Sequence, residues 1–326
     1  KKTIEVRLKA NRASIKRISS ETELTWDNFV KPLSLLEDTL SKEWSPISHL
    51  NSVKSSEVFR KAYNDCLPLI SEYSTEISQN KTLYDGFLTI AESAEFELLS
   101  VAQKKTIKDT LRNFKLGGVD LTGNAKKRYK KIQTELSDLE SNFESNVLDA
   151  TQSWEILIED IKRLEGLPEY AKQMLKELAE KKQLMGYRVT LDMPCFISII
   201  TYADDRKLRQ AIYEAYVSRA SNIGITNEKF DNARNMERII SKRQEKAVLL
   251  GFESYSDYSL KTKMAESAKQ VIDFLEDLAS KSRVEAIAEV KERQQYAQTL
   301  GFEGELEPWD YAYYSEKLKI NRYFAI

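Results

Sequence analysis

Apolar residues recur at intervals of three and four along most of this 326-residue chain. In an α-helix these intervals bring side chains to one face, so the pattern predicts amphipathic helices that pack on a shared core. Only 10 glycines and 6 prolines are available to interrupt helix formation. We therefore expect a mostly α-helical protein.

Two short segments break the helical pattern. Residues 154–158 and 187–191 are rich in β-branched and aromatic side chains and lie near helix breakers. Between them, Leu167 and Pro168 predict the start of a helix that closes near Gly186. We expect the two segments to form a small pair of β-strands within the helical protein.

Several helix boundaries can be predicted from local signals. Residues 100–103 and 267–270 each have a serine followed three positions later by glutamine, the pattern of a capping box. Gly117 and Gly118 end the first of these helices. Pro68 lies within a helical pattern, so we expect a kink there or two helices end to end.

The long apolar stripe over residues 125–150 has two interpretations. It is either one arm of an antiparallel helical hairpin or a helix packed on the body of the domain. The polar, glycine-bearing stretch 117–124 precedes it and is a candidate hinge. We accordingly expect an N-terminal helical subdomain at 1–120, and a second part at 121–326 with the hairpin, the small sheet and further helices.

Charge and cysteine content exclude several classes of protein. The chain has 50 basic and 51 acidic residues, a balance that argues against nucleic-acid binding. No apolar run reaches the roughly 18 residues that a membrane span needs. Cys66 and Cys195 are far apart and form no CxxC pair, which predicts reduced thiols and a cytoplasmic location.

The sequence has one histidine, His49, and this limits its catalytic chemistry. Catalytic zinc sites usually take two or three imidazoles, often from an H-E-x-x-H motif, which is absent. The spacing of His49 and Cys66 does not support a nucleophilic pair, and we expect His49 to be partly buried near a turn at Pro46. We predict no catalytic or metal-binding residue in this sequence.

An aromatic cluster near the end of the sequence is the best candidate for a binding surface. Pro308 suits the first turn of a helix, on which Trp309 and Tyr313 would share one face. Tyrosine and tryptophan combine apolar area with a polar tip, which suits contact with a peptide. The candidate substrate-binding residues are Trp309, Asp310, Tyr313 and Tyr314. The alternative is ordinary packing against a neighbouring helix.

The pattern from Trp309 to Ile326 reads as a helix without a stop signal, and the first residue is Lys1 rather than methionine. We therefore expect both ends to be cut from a longer protein.

An ordered set of short segments resembles the thimet-oligopeptidase family of zinc metallopeptidases, over nearly the whole length. The segments are 25–28 (TWDN), 44–51 (WSPISHLN), 62–64 (AYN), 66–69 (CLPL), 145–151 (SNVLDAT), 201–206 (TYADDR), 261–265 (KTKMA), 307–310 (EPWD) and 313–318 (YYSEKL). None is diagnostic alone, but their order and coverage together make the match specific.

The resemblance implies an elongated multi-helix lobe of a two-lobed, clam-like peptidase, whose channel admits short peptides. It implies zinc in the complete enzyme, metal-assisted hydrolysis, and zinc ligands and a general-base glutamate in a catalytic lobe beyond Ile326. The other implied partners are short peptide substrates and that missing lobe, with the complete protein a monomer.

Two hypotheses about function follow. The chain is the N-terminal lobe of a zinc oligopeptidase, forms a wall of the substrate channel and is inactive alone. Alternatively, it is a free-standing helical interaction or scaffold protein without catalysis. An H-E-x-x-H motif further along the reading frame would favour the first.

Overall fold

The computed structural model describes residues 1–53, 56–223 and 228–324. Over these ranges the chain forms fourteen α-helices and two β-strands, so the predicted mostly α-helical fold with one small strand pair is confirmed. The elements before the sheet are α1 Lys2–Ile18, a π-helical turn Trp26–Val30, α2 Lys31–Val53, α3 Glu57–Ser78, α4 Lys81–Ala91, α5 Ala94–Leu98, α6 Val101–Leu116 and α7 Gly123–Ser153. The others are β1 Glu155–Ile158, α8 Glu169–Glu180, β2 Tyr187–Thr190, α9 Met193–Tyr202, α10 Arg206–Val217, α11 Ala233–Leu249, α12 Tyr255–Leu260, α13 Ala268–Thr299 and α14 Tyr311–Tyr323.

The chain divides into two compact units, each built from two separate stretches. The first unit comprises Lys1–Glu144 and Asn235–Glu266, and the second comprises Ser145–Arg234 and Ser267–Ile326. The division into 1–120 and 121–326 that we expected from the sequence stays a prediction.

The core of the first unit lies among α1 to α4 and α6. Phe29, Ile90 and Ile107 are completely buried there. Gly86 in α4 allows this packing, because a Cβ atom at that position would overlap the ring of Phe29. A second cluster joins α7 to α11 through Ile132 and Ile239.

The predicted helix starts are confirmed at two serines. The Ser100 hydroxyl accepts a hydrogen bond from Gln103 N, and the Gln103 side chain accepts one from Ser100 N. Ser267 accepts a hydrogen bond from Gln270 N at the start of α13. The helix that begins after Ser100 ends at Leu116, directly before Gly117, as predicted.

Two prolines lie inside helices, contrary to part of the prediction. α3 is one helix through Pro68, so the alternative of two helices is wrong. α2 also continues through Pro46, and His49 is an exposed residue of that helix rather than a partly buried one near a turn. Packing explains why α2 tolerates its proline: Trp44 stacks on Tyr63 of α3, with ring centroids 5.1 Å apart.

The small sheet is antiparallel and belongs to the second unit. Ile156 of β1 pairs with Val189 of β2. α8 ends at Glu180, six residues before Gly186, so the predicted end of this helix was too late. Val189, Leu175 of α8 and Ile199 of α9 are fully buried in the core of this unit.

Both cysteines are buried and free. Cys195 Sγ accepts a hydrogen bond of 3.3 Å from Thr190 N, and burial raises the pKa of this thiol to about 11. Among the described helices, none combines the length and the apolar character needed to cross a membrane.

Candidate functional site

The predicted binding residues lie at the start of α14, in the second unit. α14 begins at Tyr311, so the predicted helix start at Pro308 and Trp309 is wrong, and Trp309 lies in the preceding turn. The Asp310 carboxylate causes this shift. Its Oδ2 accepts a hydrogen bond of 3.1 Å from Glu307 N, while Asp310 N donates one of 2.8 Å to Glu307 O. Residues 307–310 therefore form a closed turn before the helix.

Two arginines of α10 hold the Asp310 carboxylate. Arg206 Nη2 lies 2.8 Å from Asp310 Oδ2, and Arg209 Nη2 lies 2.8 Å from Asp310 Oδ1. Asp310 is 0% exposed, and the side chain of Arg209 is 2% exposed, whereas that of Arg206 is 42% exposed. Because charge-assisted hydrogen bonds satisfy both carboxylate oxygens, the carboxylate can be buried in its ionised form.

Arg209 lies on α10 and also contacts the end of α9 and the turn before α14. Its Nη1 donates to Ala203 O at 2.7 Å, and its Nε donates to Trp309 O at 3.2 Å. The guanidinium carbon lies 4.0 Å from the centroid of the Tyr313 ring. One fully buried arginine thus fixes three backbone and ring positions relative to each other.

Two aromatic rings lie against the more exposed arginine, Arg206. The Arg206 guanidinium lies 5.3 Å from the Phe302 ring and 5.6 Å from the Trp309 ring, within the range of cation–π attraction. Trp309 packs edge-on against Tyr213 of α10, with ring centroids 6.1 Å apart. Phe302 lies 5.6 Å from Tyr314, so the rings continue onto α14.

The protonation states follow from these contacts. Burial tends to raise the pKa of Asp310, but the hydrogen bonds from Arg206, Arg209 and Glu307 N outweigh it, and this pKa lies below its ordinary value. Burial and a hydrogen bond of 2.7 Å to Asp204 raise the pKa of Tyr313. At neutral pH the site therefore contains an ionised aspartate and a neutral tyrosine.

The four predicted binding residues fall into two pairs. Asp310 and Tyr314 are buried, while Trp309 and Tyr313 are partly exposed. All four belong to one cluster, but only Trp309 and Tyr313 keep part of their surface accessible. Their predicted contact with substrate stays a prediction.

Sequence reasoning missed Asp204, Arg206 and Arg209. Arg206 and Arg209 are three residues apart on α10, so they share a face, but this spacing is common in solvated helices. Asp310 lies 104 residues after Arg206, and nothing in the local pattern links the two. Only a three-dimensional structure brings these residues together.

The zinc that the resemblance implies would need several ligating side chains close together. In residues 1–53, 56–223 and 228–324, no group of three His, Cys, Asp or Glu is arranged to bind a metal ion. His49, the one imidazole in the sequence, is exposed on α2. These residues do not fit a zinc site.

Comparison with known proteins places both ends of the chain in one family. Residues 4–127 match the family described as neurolysin/thimet oligopeptidase, N-terminal domain. Residues 199–325 match peptidase family M3.

Curated relatives align along nearly the whole chain. Oligopeptidase A of Haemophilus influenzae is 46% identical over 312 residues, which cover 96% of this chain and 46% of the relative. Oligopeptidase A of Escherichia coli is 43% identical over 313 residues, with the same two shares. Probable cytosolic oligopeptidase A of Arabidopsis thaliana is 32% identical over 320 residues, 95% of this chain and 45% of that protein. The chain thus spans about half the length of these relatives, and it belongs to peptidase family M3, the thimet-oligopeptidase family.

Proposed function

We propose that this sequence is the N-terminal lobe of a zinc-dependent oligopeptidase that hydrolyses short peptides within a channel. The observation that carries the proposal is the identity of 43–46% to two bacterial proteins named oligopeptidase A, over 96% of this chain. Matches to two family descriptions, one at each end of the chain, agree with it.

In this proposal the lobe contributes a wall of the channel rather than the reacting groups. Zinc and the catalytic residues belong to parts of the complete protein outside this sequence, since the motif H-E-x-x-H is absent here. A wall promotes hydrolysis by orienting the peptide and by excluding folded proteins.

The aromatic cluster is the proposed contact with substrate. Trp309 and Tyr313 are partly exposed, and aromatic side chains of this kind suit packing on the side chains or backbone of a peptide. Asp310 and Tyr314 serve as positioning residues, because they are buried beneath that surface and are held by Arg206, Arg209 and Phe302.

A cytoplasmic location and a monomeric complete protein are further parts of the proposal. The location is supported by two buried free cysteines and by the name of the cytosolic plant relative. A second plant relative is named as organellar, so a targeting segment would decide between compartments.

The function is tested with the complete reading frame and with the 326-residue chain. We expect the complete protein to contain one zinc per chain and to cleave an internally quenched oligopeptide in a chelator-sensitive reaction. We expect the 326-residue chain to contain less than stoichiometric zinc and to release no product. Metal analysis and product detection by mass spectrometry measure both.

Two alternative functions, a helical scaffold and a peptide-binding relative without catalysis, give different results in the same assay. A helical scaffold protein would show neither cleavage nor peptide affinity in any form. A relative that binds peptides without cutting them would show affinity in a titration but no product. Stoichiometric zinc in the 326-residue chain would contradict the assignment of the metal to another part of the protein.

Replacing Trp309 by leucine in the complete protein is expected to raise KM for a short peptide about tenfold, the loss of roughly 1.4 kcal/mol of contact. We expect kcat to change less, because the ring orients substrate and does not react. Steady-state kinetics on one peptide substrate measures both constants.

Phe302→Leu is the matched control for that variant. Phe302 also lies on the Arg206 guanidinium, so its loss disturbs the same packing. If Trp309 only packs against its neighbours, the two variants will change KM equally, and the proposed contact with substrate is wrong.

A further inference from the structure

α13 is the most exposed long helix in the second unit. It runs for 32 residues, and Ala297 is its one buried residue in the described structure. Helices of this length normally bury one apolar face, so a bare apolar face on α13 indicates a surface that a partner covers. The large apolar residues exposed on it are Ile272, Phe274, Leu275, Leu278, Val284, Ile287 and Val290.

Part of this apolar surface forms a continuous stripe. Its members follow one another at intervals of three and four, which keeps them on one side of a helix. The stripe residues are Val271, Leu275, Leu278, Ala286 and Val290, and the small polar side chain of Ser282 lies between Leu278 and Ala286. Leu275 is 54% exposed and Leu278 is 52% exposed, although the same spacing leads on to the completely buried Ala297.

α14 covers the end of α13 near Ala297. Tyr296 Oη donates to Lys317 O at 3.3 Å, and Arg322, further along α14, forms an ion pair with Glu292, earlier on α13. The two helices are therefore antiparallel, and α14 runs towards the exposed part of the stripe. From Glu292 to Val271, the stripe continues for about 30 Å at 1.5 Å per residue.

We propose that the residues that follow this sequence in the complete protein dock on the α13 stripe. The inference rests on the proposed function, in which this chain is one part of a longer peptidase. Two observations favour these following residues as the partner of the stripe. The curated relatives have more than half of their length outside the matched region, enough chain to cover the stripe. In addition, the direction of α14 brings the following residues to the bare end of α13.

The test is cysteine labelling of the complete protein. Leu278→Cys places a thiol on the stripe. Ser280→Cys is the control, because it is nearly isosteric and lies two residues further on, about 200° around the helix. Cys66 and Cys195 are buried and give little background, and any cysteine outside this sequence is replaced by serine. Rates of reaction with a maleimide are measured at several protein concentrations.

We expect the thiol at 278 to react about 100-fold more slowly than the thiol at 280, since labelling of a covered site waits for local opening. Equal, fast rates at both positions would overturn the proposal, and so would protection of both. Protection at 278 that disappears on dilution, together with a halved molecular mass, would assign the stripe to a second copy and overturn it too. Leu275→Cys repeats the test if Leu278→Cys does not fold.

Peptide hydrolysis is measured on the same preparations with the parent residues. Cleavage together with fast labelling at 278 would refute the docking surface and leave the proposed function intact. Protection at 278 without cleavage would support the docking surface and contradict the proposed function.

Discussion

Replacing Asp310 by asparagine is expected to lower the free energy of unfolding by about 3–5 kcal/mol, the usual cost of removing one member of a buried ion pair. Asparagine has nearly the same shape and can still accept from Glu307 N, so the loss comes from the charge. Arg209, with 2% of its side chain exposed, would remain buried without a counter-charge. Urea denaturation followed by tryptophan fluorescence measures the change.

The loss of stability in the Asp310→Asn variant should become smaller as the pH falls. The pKa of Asp310 is lowered in the folded protein, so its contribution is present above the unfolded-state pKa of about 3.9 and is lost as pH falls through the lower folded-state pKa. The difference between the parent and the variant should therefore be constant above about pH 5 and shrink below about pH 4.

Asp277→Asn is the control for this experiment. Asp277 forms an i,i+4 ion pair with Lys281 on α13, and its side chain is 58% exposed. Removing such a pair costs less than about 1 kcal/mol. If Asp310→Asn costs no more than Asp277→Asn, the buried pair does not stabilise the corner between α9, α10 and α14.

Replacing Gly166 by alanine is expected to destabilise the protein by roughly 2–5 kcal/mol, combining left-handed backbone strain with an overpacked contact. Gly166 has φ +86°, and a Cβ there would overlap Tyr202 O and lie 2.7 Å from Asp204 Oδ1. Asp204 N donates to the adjacent Glu165 O at 2.9 Å, so neither backbone can withdraw without losing this bond. Urea denaturation again measures the loss.

Gly301→Ala separates the two causes. Gly301 has nearly the same torsion, φ +83°, but no atom lies within 4 Å of a Cβ built there. This variant should show the backbone strain alone, about 1–2 kcal/mol. Equal losses in the two variants would mean that the close approach to Tyr202 and Asp204 costs nothing.

Features set by neighbouring residues were predictable from the sequence. Ser100 and Gln103 are three residues apart and cap each other, so four letters suffice to predict the start of α6. The two strands were predicted for the same reason, because β-branched residues cluster within each. Local chemistry decides such features before any tertiary contact forms.

Features set by distant residues were not predictable. The rule that proline interrupts a helix failed at Pro46, where α2 continues and Trp44, two residues earlier, stacks on Tyr63 of α3. The start of α14 was misplaced because the Asp310 carboxylate binds Glu307 N and two arginines more than 100 residues earlier. Burial of Asp310 could not be foreseen without those partners, since an aspartate is almost never fully buried unless it is paired.

The two units interleave along the chain, and this governs the order in which they can be completed during synthesis. Residues 145–234 of the second unit leave the ribosome before residues 235–266, which the first unit still needs for α11 and α12. Neither unit can therefore fold to completion as one uninterrupted stretch of nascent chain. A truncation at any single site above residue 144 and below 266 leaves both units without part of their own sequence, so separate expression of either unit needs a designed join between its two stretches.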